Sequence, residues 1–122
     1  METTQEHQPP VLFPELLGTK IEAETVLLIL RIPEQLAYFS GHFDKIPIVP
    51  GVVQIQWAVH YGSQYFGITG VFSHMEVIKF KELLLPGQSL NLNLSYQEAD
   101  RKLIFCYHSE TTEFSSGRIY FS

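Results

Sequence analysis

The stretch from Gly51 to Phe66 constrains the fold more than any other part of the chain. Its apolar residues, among them Val52, Val53, Ile55, Trp57, Ala58, Val59, Tyr61 and Tyr65, cover most of a helical circumference. Pro50 suits a helix start, because its fixed φ and missing N–H cost nothing there. Gly67 stands where a glycine cap belongs. A helix apolar nearly all round must be covered on every side, so this one is expected to be buried. One polar line remains on it: Gln56, His60, Ser63 and Gln64 fall at i, i+4, i+7 and i+8.

No second stretch of this kind exists to pack against it, so strands must do the covering. A long strand is expected over residues 19–32, rich in aliphatic and β-branched side chains and stopped by Pro33. Residues 33–50 hold three prolines, Gly41 and the pair Tyr38 and Phe39, and read as an ordered functional loop. Four more strands are expected at 71–84, 89–99, 102–109 and 113–121. Pro86-Gly87 and Ala99-Asp100-Arg101 read as hairpin turns between them. Leu90, Leu92 and Leu94 alternate with Asn91, Asn93 and Ser95, as a half-buried strand requires. The expected architecture is α+β, one long central helix wrapped by an antiparallel sheet of about five strands. Residues 1–10 are expected to be a loose tail and 11–122 a single domain.

Composition narrows the function. The formal net charge is −5 and no basic run occurs, which argues against nucleic acid as a partner. The single Cys106 excludes an intrachain disulfide and fits a reducing compartment, and His7, His42, His60, His74 and His108 follow no metal-ligand spacing. No metal or other cofactor is implied. Residues 1–10 carry neither a positive region nor an apolar core of a signal peptide, and the longest apolar run, residues 26–30, is too short to span a membrane. A cytoplasmic protein with no membrane partner is the expectation. A chain of 122 residues cannot enclose a deep cavity of its own. Its charged fraction of 17% is low, which suggests that a second subunit covers part of the surface.

Residues 41–53, Gly-His-Phe-Asp-Lys-Ile-Pro-Ile-Val-Pro-Gly-Val-Val, resemble the active-site loop and helix start of the FabA/FabZ 3-hydroxyacyl-[acyl-carrier-protein] dehydratases, with Asp44 where proline is usual. Ile78-Lys79-Phe80-Lys81 through Leu85-Pro86-Gly87-Gln88-Ser89-Leu90 resembles the strand and turn of the same family at the family's spacing. Together with the strand order the resemblance covers about residues 18–121. The variant Gln54-x-x-Trp57-Ala58 is similar to the subgroup of small dehydratases found with aryl-polyene pathways. The resemblance implies a hot-dog fold, a homodimer or higher oligomer, and a substrate carried on acyl carrier protein or coenzyme A, entering an apolar tunnel between subunits.

It also implies roles for individual residues. Dehydration of a 3-hydroxyacyl thioester needs a base for the α-proton, an acid for the leaving hydroxyl and donors for the developing oxyanion. By resemblance His42 is the base, the Gly51 N–H is the oxyanion donor and the Ile48 carbonyl orients the histidine. Phe43, Pro50 and Val52 complete the substrate-binding surround. The start of a helix suits an oxyanion donor independently, since its N–H groups are unpaired and carry partial positive charge. The family's acid, Asp or Glu, lies fourteen residues after the histidine, where this chain has Gln56. A carboxamide donates a hydrogen bond but transfers no proton near neutral pH.

Three readings follow. Gln56 positions the hydroxyl while His42 moves the proton; or His60, one turn further along the helix, is the acid. In the third, the site binds or hydrolyses acyl thioesters without dehydrating them. Each residue also has a plainer role open to it: His42 as a loop histidine capping backbone, Gln56 and His60 as hydrogen-bonded core or interface residues. Lys79 and Lys81 stand at the family's basic positions and suit an acidic carrier protein, with Lys45, Arg101 and Arg118 as contributors; a solvated strand face is their alternative. Cys106 is expected to be a buried structural thiol.

Overall fold

The computed structural model describes residues 9–39 and 47–122. The first eight residues of the tail expected at 1–10, and the positions of His42, Phe43 and Lys45, lie outside them. Among the described residues one α-helix, α1 (Gly51–Phe66), lies on a six-stranded antiparallel sheet. The strands are β1 (Glu15–Glu22), β2 (Thr25–Arg31), β3 (Phe72–Phe80), β4 (Ser89–Gln97), β5 (Lys102–His108) and β6 (Glu113–Phe121), in spatial order β1-β2-β4-β5-β6-β3. This is the hot-dog fold. No helix among the described residues is long and apolar enough to cross a membrane.

The helix has the expected bounds. Pro50 is its N-cap, and Gly67 closes it at φ 63°, a left-handed backbone that glycine adopts without a Cβ penalty, its N–H donating to Ser63 O at 3.0 Å. The strand count is six rather than five because residues 19–32 are not one strand. The chain turns at Ala23 and Glu24, and β1 pairs back on β2. Only β2 carries inward apolar alternation, Val26, Leu28 and Leu30; β1 is an exposed edge. Pro86-Gly87 is likewise not a hairpin turn. β3 pairs with β6, and Gly87 N–H donates to Ile32 O while Ile32 N–H donates to Gln88 O, so this turn ends a crossover onto β2. Ala99–Arg101 does close the β4–β5 hairpin.

Facing rows of the sheet fill the core: Leu28 opposite Leu92 opposite Tyr107, and Val26 opposite Leu94 opposite Phe105. They pack on Trp57, Ala58 and Tyr61 of α1. Each fully buried leucine or phenylalanine contributes roughly 1.5–3 kcal/mol of transfer free energy. The helix is not buried all round, however. Val52, Gln56, His60 and Gln64 form an exposed line on the side away from the sheet. A single sheet reaches one side of a helix only, which leaves Val52 on the outer side 62% exposed. Cys106 is half-buried rather than enclosed, because it points to the other face of β5 from Phe105.

Burial leaves a pH signature. Tyr61 is pushed from 10.0 up to about 12, first by burial and then by Tyr65, and Tyr107 is raised well above its ordinary value by burial first. Above the unfolded value the folded chain therefore holds more protons than the unfolded one. The stability tied to these phenols is complete below about pH 10 and declines as the pH rises towards 12. Urea midpoints should hold steady up to about pH 10 and then fall, with a shallower fall in Tyr61→Phe. A wild-type profile as shallow as that of Tyr61→Phe would contradict the account.

Candidate functional site

The first turn of α1 is built on one row of the sheet. Leu28, Leu92, Tyr107, Ser115 and Phe80 stand opposite one another in succession across β2, β4, β5, β6 and β3. The last three reach the helix start. Tyr107 donates its hydroxyl to Gln54 O at 2.7 Å, and Ser115 Oγ donates to Gln54 Oε1 at 2.6 Å. Phe80 lies against Gly51 so closely that a Cβ there would meet the ring at 2.6 Å. Burial holds the Tyr107 phenol protonated, so it remains a donor over the ordinary pH range.

Gly51 opens the helix, with Val53 and Gln54 N–H donating to Pro50 O at 3.0 and 3.2 Å. The Gly51 N–H, which donates to no backbone acceptor among the described residues, and the partial positive charge of the helix end sit beside the half-exposed Phe80. Val52 is 62% exposed and forms the outer lip of this turn. Ile48, Val49 and Pro50 lead into it, with Val49 N–H donating to Leu84 O at 2.9 Å. The structure thus brings Ile48, Pro50, Gly51 and Val52 together.

Gln56 is exposed one turn along, and His60 a further turn along the same line. The His60 ring lies 4.5 Å from that of Phe13, part of an N-terminal strap whose Leu12 carbonyl accepts from Trp57 Nε1 at 2.9 Å. Within the described chain neither Gln56 nor His60 meets the sheet. Lys79 and Lys81 flank Phe80 and are exposed. Lys81 pairs with Glu113 at 3.1 Å, and that lysine, chiefly through its hydrogen bond, holds the Glu113 carboxyl below its ordinary range. Arg118 is exposed on neighbouring β6, whereas Arg101 lies at the opposite end of the β3–β6 pair, beside Phe121.

One site component escaped the sequence reading. Gln54, 3% exposed, is the buried polar residue at the helix start, with its Nε2 donating to Val49 O at 3.1 Å. The signal was present: Gln54 shares the apolar face of Trp57 and Tyr61 at i+3 and i+7, where a polar residue needs an internal partner.

The family model of the ApeI-like proteins, ApeI dehydratase, matches residues 18–118. The chain belongs to the ApeI-like dehydratase family. A chain of the dehydratase heterocomplex ApeI:P from Xenorhabdus doucetiae is 31% identical with a TM-score of 0.83, covering 88% of this chain and 96% of that one. An uncharacterized protein from Erwinia carotovora subsp. atroseptica is 34% identical with a TM-score of 0.78, covering 90% and 96%. Among dehydratases of the FabZ type, that of Oenococcus oeni is 25% identical over 96 residues, 73% of this chain and 69% of its own. The ApeI-like match spans both the helix start and the β3 segment on which the resemblance stood.

Two glycines of α1 should respond differently to an added methyl group. At Gly51 the obstacle is the far end of the half-exposed Phe80 ring; at Gly62 it is Leu103, fully buried, at 2.7 Å. Gly51→Ala is therefore expected to cost under about 1 kcal/mol and Gly62→Ala about 1–3 kcal/mol. Denaturant titration of the two variants checks this, and equal losses would be inconsistent with a movable Phe80.

Proposed function

We propose that this protein dehydrates 3-hydroxyacyl thioesters carried on acyl carrier protein to trans-2-enoyl thioesters. The observation that carries the reading is the family match over residues 18–118, on a chain whose Gly51 opens a helix at the family's oxyanion position. His42 takes the α-proton while the electron pair moves to the thioester oxygen, held by the Gly51 N–H. The enolate then collapses, forming the Cα=Cβ bond as the Cβ–O bond breaks. The His42 imidazolium returns its proton to the departing hydroxyl, which leaves as water. Gln56 orients that hydroxyl as a hydrogen-bond donor and transfers no proton. Loss of a general acid costs about 10²–10⁴-fold, so turnover slower than that of carboxylate-bearing relatives is expected.

The site completes itself in a dimer. β3 is an edge strand with Phe72, Met75, Val77 and Phe80 exposed, and Val52, Gln56 and His60 form the uncovered helix side. Pairing of two such edges about a two-fold axis would cover both and bring Gln56 of one subunit to His42 of the other. Lys79 and Lys81 would offer positive charge to an acidic carrier. Met75→Asp, which sets two carboxylates near the axis, should convert the dimer to monomer in light scattering; an unchanged mass would place the interface elsewhere.

A second reading rests on two observations taken together. Gln56 stands at the acid's position, and a relative 31% identical belongs to a dehydratase heterocomplex. In this reading a different hot-dog subunit bearing Asp or Glu supplies the acid, and this chain supplies His42. Mass spectrometry of 3-hydroxyacyl-carrier-protein substrates separates the two. Turnover by the chain alone that His42→Ala abolishes supports the first. Turnover only after Gln56→Glu, or after a carboxylate-bearing partner is added, supports the second. Silence in all three arms across chain lengths counts against a dehydratase.

A further inference from the structure

Val49 is fixed through both of its backbone polar atoms. Its N–H donates to Leu84 O at 2.9 Å and its carbonyl accepts from Gln54 Nε2 at 3.1 Å. The helix itself offers that carbonyl nothing, because the first intrahelical donors, Val53 and Gln54 N–H, go to Pro50 O. Val49 is 2% exposed, so without Gln54 its carbonyl would be a buried acceptor lacking this partner. Gln54 in turn is held by Ser115 Oγ on its Oε1 at 2.6 Å and by the Tyr107 hydroxyl on its backbone oxygen at 2.7 Å.

Peptide planarity carries this grip outward. Ile48 C=O and Val49 N–H share one peptide plane and point opposite ways, so the bond to Leu84 O sets the aim of the Ile48 carbonyl. Val49 C=O and the Pro50 nitrogen share the next plane, which Gln54 sets. Pro50 then has its φ of −60° locked by its ring, and with ψ at 148° it fixes where the Gly51 N–H points. Two planes and one ring separate the Gln54 carboxamide from the Gly51 donor.

We propose that Gln54 is a positioning residue of the thioester site, whose carboxamide sets the aim of the Gly51 N–H and, with Leu84 O, of the Ile48 carbonyl. The inference rests on the dehydratase reading of that site. Gln54 does not touch the reacting atoms; it acts through Val49 and Pro50. Its two ends do different work: Oε1 is the anchor to Ser115, and Nε2 is the hand on Val49.

Three variants test it: Gln54→Leu removes both ends, Gln54→Glu retains an acceptor for Ser115 but, when ionised, no donor for Val49, and Ser115→Ala releases the anchor. Each is assayed for kcat and KM on a 3-hydroxyacyl-carrier-protein substrate, and for amide hydrogen exchange at Val49, Val53 and the middle of α1. Misaimed donors predict a kcat lowered on the order of 10²-fold in Gln54→Leu, with KM within about threefold and a smaller drop in Ser115→Ala. Exchange should quicken at Val49 and Val53 while the Trp57–Tyr61 amides keep their protection. A kcat within twofold of wild type, or protection lost evenly along α1, overturns the proposal. Should Gln54→Leu fail to fold, Ser115→Ala and Gln54→Glu are held to the same criteria. If wild type turns over neither alone nor with a carboxylate-bearing partner, and Gln56→Glu is silent too, the dehydratase reading falls and the catalytic half of this inference with it; faster exchange at Val49 alone would then show only a structural clamp. Turnover with unresponsive Val49 and Val53 amides would sink this inference and leave the dehydratase reading standing.

Discussion

A helix that lies on a sheet must offer apolar side chains along its length, yet a helix whose start serves as an anion-stabilising site must hold polar backbone in a fixed direction. In this protein the first demand falls on the first turn of α1 and, on the function proposed above, so does the second; the row Leu28–Leu92–Tyr107–Ser115–Phe80 meets both. Its first two members are purely apolar and belong to the core. Tyr107 is mostly ring but ends in a hydroxyl, Ser115 is small and polar, and Phe80 covers the glycine. The row thus passes from packing to hydrogen bonding to an open aromatic edge within five strands. Sheet pairing sets the spacing of these groups, so the helix start is held to the tolerance of a β-ladder rather than that of a loop.

Chain length explains why the rest of the site faces outward. Six strands of this size cover one side of a helix of sixteen residues and no more. Val52, Gln56 and His60 are left on the far side, and β3 is left as an edge with its apolar side chains bare. Exposed apolar edges of this kind are a liability unless they are paired. In the dimer proposed above, a second subunit would remove the liability and wall the site at once, which fits the low charge of the chain.

Much of this was legible in the residues. The helix bounds followed from Pro50 and Gly67, β4 from its alternation, and the polar line of α1 proved to run along its exposed side. What was misread was pairing. One long strand at residues 19–32 and a hairpin at Pro86-Gly87 were both expected from local composition, but the turn at Ala23 and Glu24 has no glycine or proline to mark it. The Pro86-Gly87 turn marks a bend without saying which strand it leads to. Partner choice in a sheet is a long-range property, decided here when Gln88 and Gly87 bond to Ile32. The buried side of Gln54 was missed for a related reason. A helix thought to be enclosed on all sides makes every polar residue look equally anomalous; only one side facing the sheet separates Gln54 from Gln56.

That separation matters for how the departure from the family's carboxylate is understood. Two glutamines two positions apart on a helix point about 200° apart, so one can be core while the other is surface. Gln54 is bonded on three sides by atoms of the core and of the loop that enters the helix. A carboxylate in its place would be desolvated and would face the Val49 carbonyl. Gln56 is under no such constraint, since it is exposed and the described chain supplies it no partner that would exclude a charge. Folding of the single chain therefore gives no reason for Gln56 to be uncharged. On the dimer proposed above, position 56 would face the second subunit or the substrate, so its identity would bear on the chemistry there rather than on stability within one chain.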